Sequence, residues 1–87
     1  MHAEKKHIIR LLNTAKGQIE GIVKMINDDK YCIEISNQIL ASIAILKKAN
    51  IEILEAHLNH CVVNAKTFEE RQEKMEEVSD ILKKVAK

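Results

Sequence analysis

The chain has 87 residues, one domain at most, and at this length a single core is marginal, so self-association is expected. It contains no proline and only Gly17 and Gly21, where average usage would give about ten of the two combined, which excludes a turn-rich sandwich or barrel. Charged residues at 31% and hydrophobic ones at 46% exclude a disordered tail, and a net charge of +1 requires any nucleic-acid surface to gather its cations on one face.

The first element is predicted as a helix over about 4–27. Ile8, Leu11 or Leu12, Ala15, Ile19, Ile22 and Ile26 recur at helical spacing. Gly17 and Gly21 share a face of it, and each costs about 1 kcal/mol against alanine. A stripe of this kind predicts close approach of another helix. Asn27, Asp28, Asp29 and Lys30 read as a turn. The second element runs over about 31–65 with no Gly or Pro. Along it Cys32, Ser36, Ile39, Ile43, Leu46, Asn50, Leu54, His57 and Cys61 follow one another at helical spacings. As one helix it would reach roughly 50 Å, longer than a compact globule of this size, so it needs a partner from another chain. The third element, about 67–86, opens on Thr67-Phe68-Glu69-Glu70, a capping-box sequence in which Glu70 reaches back. Its apolar side is Phe68, Met75, Val78, Ile81, Leu82 and Val85; acids dominate its first half and Lys83, Lys84 and Lys87 its end, which suits the helix dipole. The fold class expected is therefore all-α, a three-helix subunit with a long central helix. No repeat or second domain is evident over 1–87.

The polar start of the chain lacks a signal-type apolar stretch, and the longest apolar run, 39–46, is too short to span a bilayer. A cytosolic protein with reduced thiols and no membrane association is expected. Two cysteines do not make a disulfide scaffold, and in that compartment a Cys pair beside histidine points to metal or reactivity.

Cys32, His57 and Cys61 are the candidate metal ligands. His57 and Cys61, four apart, share a helix face. Cys32 precedes His57 by 25 residues and Cys61 by 29, and at about 100° per residue both intervals return to within about 20° of the same direction. Along a straight helix, however, Cys32 lies about 37 Å from His57. An antiparallel pair of these helices removes the conflict: Cys32 of one subunit meets His57 and Cys61 of the other, twice, by two-fold symmetry. The axis then falls near Ile45 and Leu46. Ile39, Ile43, Leu46 and Asn50 line the seam, where a polar Asn can fix register. Two thiolates and one imidazole suit Cu(I), whereas Zn(II) wants a fourth ligand, which His60 or an N-terminal His could supply. His2, His7 and His60 are otherwise expected in solvent.

These features resemble those of the copper-sensing repressors, the CsoR/RcnR group of bacterial regulators. The resemblance runs over about 5–85. It is carried by Gly17-Gln18-Ile19-Glu20-Gly21-Ile22, Tyr31-Cys32, Gln38-Ile39, Ala49-Asn50 and His57-Leu58-Asn59-His60-Cys61. It implies an antiparallel dimer forming a four-helix bundle, a dimer of dimers, binding to operator DNA without metal, and release when Cu(I) binds. It also implies that Cys32, His57 and Cys61 are the copper ligands, and that Tyr31 and Glu77 are neighbours coupling ligation to release. Within the group, nickel and cobalt sensors replace the second Cys by His and add an N-terminal His. Cys61 argues against that pattern, while His2 leaves a Cys-His-Cys-plus-His nickel site open. Persulfide sensors lack the His, and formaldehyde sensors the second Cys.

The resemblance places DNA contact on helices 1 and 2. Lys48 matches a basic position and Lys47 adds charge, while a position usually Arg falls on Leu11 and a nearby, often basic one on Thr14. Arg10, Lys16 and Lys24 offer compensation. Residues 1–30 carry six basic and four acidic side chains, an excess that a tetramer repeats. Phosphate neutralisation by such cations would make binding steeply salt-dependent. A metal-buffering helical oligomer without DNA activity is the competing class. An enzyme is not expected, since no oxyanion device or orienting acid accompanies the Cys-His pair.

Overall fold

The computed structural model describes residues 1–86. Three helices follow one another: α1 over Lys5–Asn27, α2 over Cys32–Asn64 and α3 over Phe68–Ala86. α2 packs against both others, and α1 and α3 do not meet. No helix is long and apolar enough to cross a membrane among the described residues.

The turns have local causes. The turn after α1 closes on Asp29, which holds a left-handed φ of 54°. The Lys30 N–H donates to the Met25 carbonyl at 3.0 Å and the Asp29 N–H to the Ile26 carbonyl at 3.1 Å, the paired closure of a Schellman end. Asp tolerates this conformation less well than glycine. Asp29→Gly is therefore expected to stabilise the chain by about 0.5 kcal/mol, after the larger entropy of a glycine in the unfolded chain is subtracted. At fixed protein concentration the thermal midpoint should rise by about 2–4 °C; a fall would show that the Asp side chain itself holds the turn. α3 is capped by Thr67, whose Oγ1 accepts the Glu70 N–H at 3.0 Å. Glu70 does reach back, but to the Lys66 N–H at 3.2 Å, one residue before the position a capping box uses.

The α1–α2 seam consists of Ile8, Ala15 and Ile22 on one helix and Ser42 and Ala49 on the other, all buried. Both sets step by seven residues, which keeps one line of a helix pointed at its neighbour. At the other end of α2, Leu54 and Val78 of α3 are buried. Gly17 and Gly21 do not serve this seam. A Cβ at either would meet nothing within 4 Å. The expected close approach is absent within the subunit, because the seam line runs through Ala15 and Ile22 and turns the glycines to the outer side.

The subunit is a slab. Its extents are 57 × 27 × 11 Å and its radius of gyration is 17.1 Å. A compact domain of this length would have a radius near 12 Å. One layer of helices buries only one side of each, so large apolar side chains stay uncovered: Ile39, Ile43 and Leu46 of α2 are 41–43% exposed, and Leu12, Ile19 and Val23 of α1 are exposed as well. Tracing about 100° per residue from the seam, both groups turn toward the same broad face of the slab.

Candidate metal centre and nucleic-acid surface

α2 is unbroken from Cys32 to Asn64, so its geometry fixes the relation of the three candidate ligands. Cys61 Sγ lies 3.5 Å from His57 Nε2 and 4.0 Å from Nδ1. The i, i+4 spacing brings these two together on one turn, both half-buried. Cys32, exposed, is the first residue of the same helix, about 37 Å away along its axis. Both cysteines are free thiols. Among the described residues, no three Cys, His, Asp or Glu side chains of one subunit are gathered as a metal site. Each subunit thus carries two half-sites at opposite ends of one helix. All three side chains leave α2 about 60–100° round from the Ser42–Ala49 line, in the same sector as Ile39, Ile43, Leu46 and Asn50. The donor chemistry fits a soft monovalent cation: two thiols and one imidazole, with no hard oxygen among them.

A groove and a histidine stack lie at the His57 end. Met1, His2, Ile53, Leu54, His57 and Ile81 line one groove, where the N-terminal arm meets α2 and α3. Glu77 lies one turn before Ile81 on α3, and Lys74 Nζ approaches it at 3.8 Å. The His2 ring stacks on His60 with centroids 3.6 Å apart and stands 5.8 Å from His57. Desolvation by these neighbours, then repulsion from His60, the amino terminus and His57, lowers the His2 pKa below the ordinary imidazole value. His2 and His60 are exposed, as their sequence positions suggested. His7 departs from that expectation: it is half-buried, and its Nε2 donates to Glu52 Oε2 of α2 at 2.8 Å. An acid on the facing helix draws the ring inward, and nothing in the local sequence of either helix signals it. Tyr31 is the N-cap residue of α2, 68% exposed beside Cys32.

Arg10, Lys16, Lys47 and Lys48 are all exposed. Helix geometry separates them. Arg10 and Lys48 turn away from the apolar face, whereas Lys16 turns toward it and Lys47 points to the outer edge of α2. A further cation, Lys6, lines a surface groove with Ile9, Arg10, Asn13 and Thr14. Its i, i+4 spacing from Arg10 was the available signal. Lys24 lies fourteen residues beyond Arg10 and returns to the same side.

Comparison with known proteins places these features. The chain matches the family described as metal-sensitive transcriptional repressor over residues 4–84. It is 36% identical over 84 residues to the copper-sensing transcriptional repressor CsoR of Bacillus subtilis (strain 168), covering 97% of this chain and 83% of that protein. It superposes with a TM-score of 0.79 on the crystal structure of the copper-sensing repressor CsoR with Cu(I) from Geobacillus thermodenitrificans NG80-2, at 36% identity, covering 94% of this chain and 85% of that one. The nickel-responsive transcriptional regulator InrS also superposes at 0.79, covering 98% of this chain and 96% of that one; at 21% identity this likeness speaks to the fold alone.

Proposed function

The chain belongs to the metal-sensitive transcriptional repressor family, and from that premise we propose that it is a Cu(I)-responsive repressor that holds operator DNA without metal and releases it when Cu(I) is bound. The observation that carries this reading is the division of a soft donor set between the two ends of one straight helix. His57 and Cys61 stand 3.5 Å apart at one end, and Cys32 stands at the other in the same angular sector. A two-fold antiparallel pairing of α2 unites Cys32 of one subunit with His57 and Cys61 of the next, and does so twice. The uncovered Ile39, Ile43 and Leu46 supply the apolar seam for that pairing, with Asn50 as its polar register mark. The dimer is a four-helix bundle, and two dimers associate into a homotetramer.

Bound Cu(I) would supply a soft cation that thiolate and imidazole donors prefer. The rest is the work of this chain. His57 gives one ring nitrogen to the ligand set and keeps the other N–H for a neighbour that sets the ring's orientation. Glu77, one turn from the Ile81 that shares the His57 groove, is that neighbour, and Tyr31 holds the equivalent place beside Cys32. Held between two subunits, the ligands favour one arrangement of the dimer. DNA affinity falls because Cu(I) and DNA prefer different arrangements, and the coupling is reciprocal. Arg10 and Lys48, with Lys6 beside them and Lys16 and Lys47 at the flanks, form the DNA surface. Such a repressor acts in the bacterial cytoplasm, where the chromosome is.

The test is anaerobic fluorescence anisotropy with labelled duplex from upstream of this chain's own gene, titrating Cu(I) against a competing chelator. The metal-free protein should bind with a steep salt dependence, and one Cu(I) per subunit should release it. Release by Ni(II) instead would assign the chain to a nickel-sensing branch. Tight copper binding with no DNA binding at low salt would leave a metal-buffering oligomer.

A further inference from the structure

The metal site and the cations leave two contacts unaccounted for. Both cross from α1 to α2. The His7 Nε2–H donates to Glu52 Oε2 at 2.8 Å, and the Ser42 hydroxyl donates to Gln18 Oε1 at 3.0 Å. Ser42 is 4% exposed, the one buried polar side chain among the described residues, and Gln18 and Glu52 are half-buried. The two bonds stand eleven residues apart on α1 and ten apart on α2. At about 1.5 Å per residue these spans match for antiparallel helices, so both bonds form in a single register.

The apolar part of the seam selects that register poorly. Ile8, Ala15 and Ile22 are flanked one turn away by Leu11, Leu12 and Ile19, so a slip of one turn still offers aliphatic side chains to Ala49. Apolar burial is non-directional and would tolerate the slip. The polar pairs would not: the slip separates both His7 from Glu52 and Ser42 from Gln18, and directional bonds at a half-buried seam are lost with it.

The cations lie inside this frame. Arg10 and Lys16 stand between His7 and Gln18 on α1, and Lys47 and Lys48 stand between Ser42 and Glu52 on α2. Arg10 is one turn from His7, and Lys48 is one turn from Glu52. A slip of one turn moves the α1 cations about 5.4 Å relative to those of α2. That is well beyond the reach of a charge-assisted hydrogen bond to a fixed phosphate. The His7 contact also occupies the Glu52 carboxylate. Released, Glu52 would stand four residues from Lys48, at ion-pairing distance, and offset its charge.

We propose that His7–Glu52 and Gln18–Ser42 are positioning contacts for DNA recognition, two polar pins that hold the α1 cations in fixed relation to those of α2. The proposal rests on the DNA-binding reading above. These residues touch no nucleic acid; they act through Arg10 and Lys48.

The experiment compares the metal-free wild type with His7→Ala, Ser42→Ala and their combination, and with the conservative His7→Gln and Ser42→Thr, which keep a donor to Glu52 and to Gln18. Binding to the upstream duplex is measured over a series of salt concentrations, alongside Cu(I) affinity and sedimentation. The double alanine variant should lose roughly tenfold in DNA affinity, and its salt slope should flatten by about one phosphate contact. Cu(I) affinity and assembly should not change, and the conservative variants should bind DNA within about twofold of wild type. Wild-type DNA affinity in the double alanine variant overturns the pins. So does equal loss in alanine and conservative variants, which would make the contacts mere packing, and so does loss of Cu(I) binding in step with DNA binding. If the double variant does not fold, each single alanine variant is judged against its conservative counterpart by the same criteria. A wild type that binds no DNA overturns the DNA-binding reading together with the pins, whereas a binding wild type with unaffected variants overturns the pins alone.

Discussion

Cys61→Ala and Cys32→Ala should each weaken Cu(I) binding by about a hundred- to a thousandfold while leaving the chain helical. The scale is that of structural zinc sites, whose ~10–16 kcal/mol divides among four ligands at about 2.5–4 kcal/mol each. Chelator competition measures the affinity, and circular dichroism checks the helices. The two cysteines stand about 43 Å apart on an unbroken α2. Equal losses at such separated positions therefore mean that each acts in a site completed by another subunit. Mixing the variants sharpens this. In a heterodimer, the intact Cys32 of one subunit faces the intact His57 and Cys61 of the other, while the second site lacks both thiols. Random exchange should restore about a quarter of the tight sites, and up to about half if copper draws the heterodimers together. No restoration despite demonstrated subunit exchange would sink the shared site. Wild-type affinity in either single variant would sink the ligand set itself.

Leu46→Glu should convert the assembly to monomers at micromolar concentration, read by sedimentation. Leu46 is 42% exposed on the single slab and stands beside the two-fold axis of the proposed pairing. A carboxylate there faces its own symmetry mate, and both would have to be desolvated. The consequences extend to both activities. A monomer keeps the His57–Cys61 pair without Cys32, so tight Cu(I) binding should fall as in Cys32→Ala. It also presents one basic surface in place of four, so DNA affinity should drop by at least about a hundredfold at physiological salt. A Leu46→Glu chain that sediments as the wild type would move the interface to another face of the slab. The exposed Leu12, Ile19 and Val23 of α1 would be the first alternative.

Much of this is legible in the sequence. Three helices follow from apolar spacing and the near absence of Gly and Pro. The His57–Cys61 pair follows from four-residue spacing, and the Thr67 cap from the residues around it. Gly17 and Gly21 meet no other helix within the subunit. Small residues on one face permit close packing but do not compel it. The seam went instead through Ala15 and Ile22, where larger burial is available.

Residue numbers alone set direction around each helix. Because an α-helix turns by a constant angle, the residue numbers alone put Cys32, His57 and Cys61 in one sector and kept Cys32 far from the other two. Which helix faces which, and at what register, comes from the packing of the folded chain. His7 meeting Glu52, and Ser42 meeting Gln18, depend on how α1 lies along α2. So does the placing of Arg10 of α1 and Lys48 of α2 on one side of the slab. Periodicity reports the phase of a helix about its own axis; the phase between two helices is set by directional contacts between residues distant in the chain, and no local spacing records them.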